Sequence, residues 1–225
     1  MDSEIRPILY SLHNCPFAIR ARLAIVKAQL QVRIRAIKLD NKPVEMLEAS
    51  PKGTVPVLAF EDGKPAIEQS LDIMVWALRQ SDPNNLLYSE DSYALERMLS
   101  TIESFEHDFD PALNAFGCAK RYHETNMLSL RKDCEVQLAL LESRLSQHSF
   151  LFGEKESLVD IALVPFLRKF ARIDKQWFRD APYPKLRTWL NNYLQSPMFS
   201  KVMEKQELWL DHREDVIFGR YSFKK

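Results

Sequence analysis

Apolar and polar positions keep a changing rhythm along the first 80 residues. Residues 5–12 form a short apolar run that reads as a strand. After it, Ile19, Leu23 and Val26 recur at helical spacing with Arg20, Arg22 and Lys27 between them, which predicts a helix over 16–30. A second strand is expected over 32–39 and a short helix over 43–49, ended by the turn residues Pro51, Gly53 and Pro56. Residues 57–60 and 65–68 read as short strands flanking Glu61-Asp62-Gly63-Lys64, and Asp62-Gly63 suits a tight hairpin turn. Ser70 then opens a helix with Ile73, Met74, Ala77 and Leu78 on one face. The order is βαβ, α, ββα. Two strands joined by a helix should lie parallel, and the last two should pair as an antiparallel hairpin.

Beyond a polar, turn-rich stretch at 81–90 the pattern becomes helical throughout. Helices are expected over 93–116, 126–146, 161–170, 184–194 and 197–208, with an aromatic tail from Asp211 that docks on the body. Ser157 followed by Asp160 has the logic of a capping box ahead of the 161–170 helix. The reading is therefore an α/β domain over 1–80, a linker over 81–90 and an all-helical domain over 91–225.

Composition narrows the function classes. The 225 residues hold 31 Lys+Arg and 31 Asp+Glu, so no net field draws the chain to nucleic acid or an anionic membrane. The densest basic stretch, Arg20 to Lys38, is interleaved with apolar residues and reads as a solvated face. No apolar run approaches the roughly 18 residues of a membrane span, and the acidic start Met1-Asp2-Ser3-Glu4 is unlike a targeting peptide. Cys15, Cys118 and Cys134 make no disulfide framework, which points to a reducing cytoplasmic setting. The five histidines are scattered and suggest no metal.

The chemistry concentrates at Cys15. It stands where the first strand hands over to a helix, with Pro16 at a first helical position that suits its fixed φ. Unpaired N–H groups and the positive end of the helix dipole there favour a thiolate. Ala18 occupies the place where a dithiol site would carry its second cysteine, leaving a one-thiol route. Tyr10 and Ser11 stand near the end of the first strand. His13 and Phe17 flank the cysteine. Phe105, Phe109 and Phe116 read as core, and Cys118 and Cys134 as structural.

Cys15-Pro16-Phe17-Ala18 with Arg20, Asn41-Lys42-Pro43, Gly53-Thr54-Val55-Pro56-Val57-Leu58 and Ser157-Leu158-Val159-Asp160 together resemble the cytosolic glutathione transferases, most of all the cysteine-type omega class. The resemblance implies a thioredoxin-like N-terminal domain and an all-α C-terminal domain. It implies a glutathione-dependent thiol transferase or reductase with Cys15 as nucleophile and glutathione as co-substrate. Other classes of the family hold glutathione's own thiolate with a tyrosine or serine near the end of the first strand, so Tyr10 and Ser11 remain alternatives. Glutathione would then be held by Phe17, Lys42, the Val55 main chain beside a cis Pro56, Gln69 and Ser70. A homodimer and a small electrophilic or disulfide second substrate are also implied. One departure stands out: Gln69-Ser70 occupies the place of the family's Glu-Ser, so the acid is either replaced or shifted to Glu68. That departure sustains an alternative, a binding or stress-response protein that keeps the fold without turnover.

Overall fold

The computed structural model describes residues 6–219. Their contacts divide the chain into two compact units, one comprising 6–84 with 196–219 and the other 85–195.

The first unit is built on a four-stranded sheet. Its strands are β1 (Ile8–Ser11), β2 (Val32–Ala36), β3 (Val57–Ala59) and β4 (Val216–Phe218), in the order β3-β1-β2-β4. β1 and β2 are parallel with Leu9 opposite Ile34, as the intervening helix α1 (Pro16–Lys27) requires. β3 runs antiparallel to β1, and Ile67 bridges back to Leu58, so the expected second hairpin strand is reduced to a single bridge. Helices α2 (Val44–Ala49) and α3 (Ser70–Gln80) complete the predicted order. Ile8, Tyr10, Ile37, Met46 and Val57 form one apolar cluster of this unit, with Val55 packed against it.

The tail differs from expectation. The helix anticipated over 197–208 is α9 (Pro197–Val202), followed by the single turn α10 (Trp209–His212) and then by β4, which pairs antiparallel with β2. Residues 196–219 thus belong to the α/β unit. Half-buried ion pairing explains the difference. Asp215 accepts from Arg35 Nε at 2.6 Å and from Arg33 Nη1 at 3.2 Å, and the Arg35 guanidinium lies 4.1 Å from the Trp209 ring centre. Gly219 seals the docking at φ +120, where an added Cβ would overlap the Leu30 carbonyl oxygen. Gly219→Ala is accordingly expected to cost about 2 kcal/mol of stability, read as a lowered midpoint in urea unfolding.

The second unit holds α4 (Ala94–Tyr122), α5 (Met127–Gln147), α6 (Leu158–Ile173), α7 (Lys175–Asp180) and α8 (Pro184–Leu194). α7 is too short to leave a periodic signal and was not expected. Phe105, Phe109 and Phe116 are buried on α4 and pack with Phe166 and Phe170 of α6, as core aromatics should. Ser157 and Asp160 form the capping box, both fully buried. Among the described residues no helix is long and apolar enough to cross a membrane, and no group of side chains has the makeup of a metal site.

Candidate functional site

Cys15 is the N-cap of α1, with Pro16 as the first helical residue. Its backbone is extended (φ −70, ψ 123), its side chain makes no capping hydrogen bond, and the residue is partly exposed. The sulfur therefore sits at the positive end of a twelve-residue helix whose first-turn N–H groups lack intrahelical partners.

The two alternatives to Cys15 are buried and engaged. Tyr10 is 1% exposed, its hydroxyl accepts from Arg35 Nη1 at 3.0 Å, and burial pushes its ionisation upward. Ser11 is 2% exposed and its hydroxyl oxygen accepts from Arg22 Nη1 at 2.5 Å. The other two cysteines also differ from Cys15. Cys118 is exposed on α4, contrary to its reading as structural, while Cys134 is buried on α5 and burial pushes its thiol up to about 12.

The basic stretch read as a solvated face is not one. Arg20 and Arg22 are each 3% exposed. Alternation with apolar residues looked like a surface pattern, yet α1 lies beneath other elements of its unit and both guanidiniums find acceptors there. Arg20 Nε donates to Ser70 Oγ at 2.9 Å, and its guanidinium lies 5.2 Å from the Phe17 ring centre. The first turn of α1 and the first turn of α3 are thereby tied together. A pair of arginines within one helix pattern was the available signal, and it was misassigned.

At α3 the N-cap is Gln69, exposed and without a side-chain capping bond, while Ser70 is the first helical residue and is buried. Ser70 thus does not cap its own helix; its oxygen turns to Arg20. Glu68, the neighbouring acid, is engaged within the same unit. Its carboxylate accepts from Ser50 Oγ at 2.6 Å and pairs with Lys52 at 3.1 Å, and these contacts hold it below the usual carboxylate range.

The Val55–Pro56 peptide is cis, with Pro56 buried and Val55 partly so. Lys42 is partly buried, and its Nζ lies beside Gly53 in the turn that leads to Val55. The structure so joins Phe17, Arg20 and Ser70 at one place, on the helix that Cys15 begins, and Lys42 to the Gly53 turn at another. Among the described residues no hydrogen bond or ion pair connects Lys42 to the Cys15 segment.

A cleft of about 770 Å³ in the second unit, walled by Tyr93, Arg97, Arg144, His148 and Phe152 among others, contains none of the residues the sequence singled out.

Comparison with known families adds the deciding observation. The model of the glutathione S-transferase N-terminal domain matches residues 9–85, and that of the C-terminal domain matches residues 130–192, together more than half of the chain. The chain belongs to the glutathione S-transferase family. All of the residues assembled above around Cys15, Lys42, Pro56 and Ser70 fall within the matched N-terminal segment. This glutathione S-transferase is 29% identical to mouse (Mus musculus) glutathione S-transferase omega-1 over 88% of its own length and 80% of the relative's. It is 28% identical to glutathione S-transferase DHAR2 of Arabidopsis thaliana, over 92% and 89% of the two chains. In fold it is similar to a glutathione transferase family member from Pseudomonas fluorescens solved with two glutathione bound. That match has a TM-score of 0.76 at 18% identity and covers 91% of this chain and 95% of the other.

Proposed function

We propose that this glutathione S-transferase is a glutathione-dependent thiol transferase or reductase that works through a mixed disulfide on Cys15. The supporting observation is the placement of Cys15: a partly exposed residue at the N-cap position of α1, its side chain not used in a capping hydrogen bond, with Ala18 instead of a second thiol in the next turn. The Cys15 thiolate attacks the glutathionyl sulfur of a mixed disulfide, forming the Cys15–glutathione disulfide and expelling the substrate's thiolate. The thiolate of a second glutathione then attacks the glutathione sulfur of that adduct, which regenerates the Cys15 thiolate and releases oxidised glutathione. One glutathione thiol is consumed per turnover, its sulfur pairing with the glutathionyl sulfur already at the disulfide level in the substrate, and Cys15 ends as it began. Small glutathionyl disulfides are the substrate class this route serves. Dehydroascorbate would instead take the Cys15 thiolate at a carbonyl carbon. One glutathione thiolate then attacks the Cys15 sulfur to release ascorbate and a second resolves the adduct to oxidised glutathione, so that two glutathione thiols supply the two electrons.

Glutathione lies, in this reading, with its γ-glutamyl carboxylate at the α3 N-terminus beside Ser70 and Gln69. Its main chain pairs with Val55 next to Pro56, Lys42 contacts its glycyl end, and Phe17 lines the side nearest the sulfur. A homodimer in the cytosol, where thiols stay reduced, completes the proposal.

The first test is intact-mass analysis after mixing the chain with a glutathionyl mixed disulfide. One glutathione mapped to Cys15 supports the reading; an adduct confined to exposed Cys118 overturns it. Ser70→Ala is expected to raise the KM for glutathione about tenfold, as loss of a hydrogen bond to a charged group does, with kcat changed less than threefold. The neutral, exposed Gln69 favours a second reading, a binding protein without turnover. Glutathione binding by calorimetry with no Cys15 adduct would select it.

A further inference from the structure

Arg22 is a heavily hydrogen-bonded buried charge of the first unit that the proposed chemistry leaves unused. It is 3% exposed on α1, seven residues after Cys15. Its Nη1 donates to Ser11 Oγ at 2.5 Å and to the Leu12 carbonyl at 3.3 Å, and its Nη2 donates to the His13 carbonyl at 2.7 Å. These three acceptors are consecutive, and they form the segment through which β1 reaches Cys15. On its other side, Arg22 Nε donates to the Val202 carbonyl at 3.0 Å, and Nη2 approaches Met203 Sδ at 3.9 Å.

Two details turn this from a buried cation into a device. The Leu12 carbonyl that receives Arg22 also accepts from the Cys15 N–H at 3.3 Å, so one oxygen registers the guanidinium and the nucleophile's own backbone. Val202 is the last residue of α9, so its own carbonyl has no later helical N–H to receive, whereas those of Phe199 and Lys201 are taken by Met203 and Glu204. The planar guanidinium fork spans both sets of acceptors, which the point charge of a lysine does not.

We infer that Arg22 is a positioning residue for Cys15, clamping the Ser11–His13 segment against the end of α9 so that the sulfur is presented at the helix start. The inference rests on Cys15 being the reactive thiol, as proposed above. It makes the α9 end of the tail a working part of the site, although no residue of α9 need touch substrate.

The test compares the native full-length chain with Arg22→Met, Arg22→Lys and Ser11→Ala, all assayed at a temperature where circular dichroism shows them folded. Two rates are measured: alkylation of Cys15 by iodoacetamide as a function of pH, which needs no glutathione, and steady-state turnover of a glutathionyl mixed disulfide. The expected result is alkylation at least tenfold slower in Arg22→Met with an altered pH profile. A parallel fall in kcat should accompany it, with a glutathione KM within about threefold of native. Arg22→Lys should recover folding stability more than rate, and Ser11→Ala should show a smaller loss of the same kind. Should Arg22→Met fail to fold, the Lys and Ala variants decide the matter by the same two rates. Unchanged alkylation and kcat in folded variants, or losses that merely follow the unfolded fraction, overturn the inference. Absence of turnover in the native chain would instead refute the reductase reading, and the alkylation series would still decide the role of Arg22.

Discussion

Cys15→Ser is expected to abolish glutathione-dependent reduction of a glutathionyl disulfide, with a loss on the order of a thousandfold or more. The reaction needs an anionic sulfur to attack a disulfide, and a serine hydroxyl stays protonated and forms no disulfide. What makes the variant informative is that its fold should not suffer. Cys15 is partly exposed, and its side chain makes no capping hydrogen bond. Serine is among the favoured N-cap residues, so α1 should be unchanged or stabilised by up to about 1 kcal/mol. Activity and stability are thus expected to move in opposite directions. Retained turnover would return attention to Tyr10 and Ser11, which are buried and already hydrogen-bonded. A Cys118→Ser control should leave the rate within twofold of native.

The largest loss of stability is expected from Asp160→Ala. This fully buried carboxylate accepts from the Leu151 N–H at 2.9 Å, the Ser157 N–H at 3.0 Å, Ser157 Oγ at 2.7 Å and Trp189 Nε1 at 3.0 Å. It therefore joins the 149–153 connection, the start of α6 and the middle of α8. Alanine would strand at least three buried donors, each costing roughly 1–3 kcal/mol, for a total of about 3–5 kcal/mol. Urea unfolding followed by tryptophan fluorescence measures it, and a loss under 1 kcal/mol would show that the donors find other partners. The charge adds a pH signature. Burial raises the Asp160 carboxyl, against the pull of its four hydrogen bonds, from 3.8 to about 6. A carboxyl raised on folding holds its proton more tightly in the native state, so stability falls as pH rises from about 4 to about 6. Lowering the pH from 7 to 5 should therefore strengthen the native chain relative to Asp160→Asn by about 1 kcal/mol.

The capping box itself was legible in the sequence, because Ser157 and Asp160 stand three apart ahead of an apolar run. Its full weight was not, since Leu151 and Trp189 reach Asp160 from segments without any marker of their own. The βαβ start was likewise readable from local chemistry, whereas the cis Pro56 was expected from the family resemblance. Asp62-Gly63 bends the chain with only Gly63 at positive φ, in place of the expected two-residue hairpin turn. What local pattern hides is long-range partnership. Arg20, Arg22, Arg33 and Arg35 looked like one solvated stripe because interleaved charge is ambiguous until acceptors are known. Those acceptors lie at Ser70, Val202 and Asp215, between 50 and 182 residues away. β4 was missed for the same reason. Three residues of strand, two of them exposed, give no alternation to detect, and only the partner β2 defines them.

That strand also sets a schedule. Ile34 lies opposite Val216, so β2 leaves the ribosome 182 residues before the segment that covers its outer edge. At roughly 5–20 residues per second, the nascent chain carries an open row of backbone donors and acceptors for about 10–40 seconds. An uncovered edge of that kind is a template for pairing with other chains. The alternating arginines of β2, Arg33 and Arg35, supply charge along that edge until Asp215 arrives to neutralise them. The residues that fasten the finished sheet are thus the ones that guard the unfinished one.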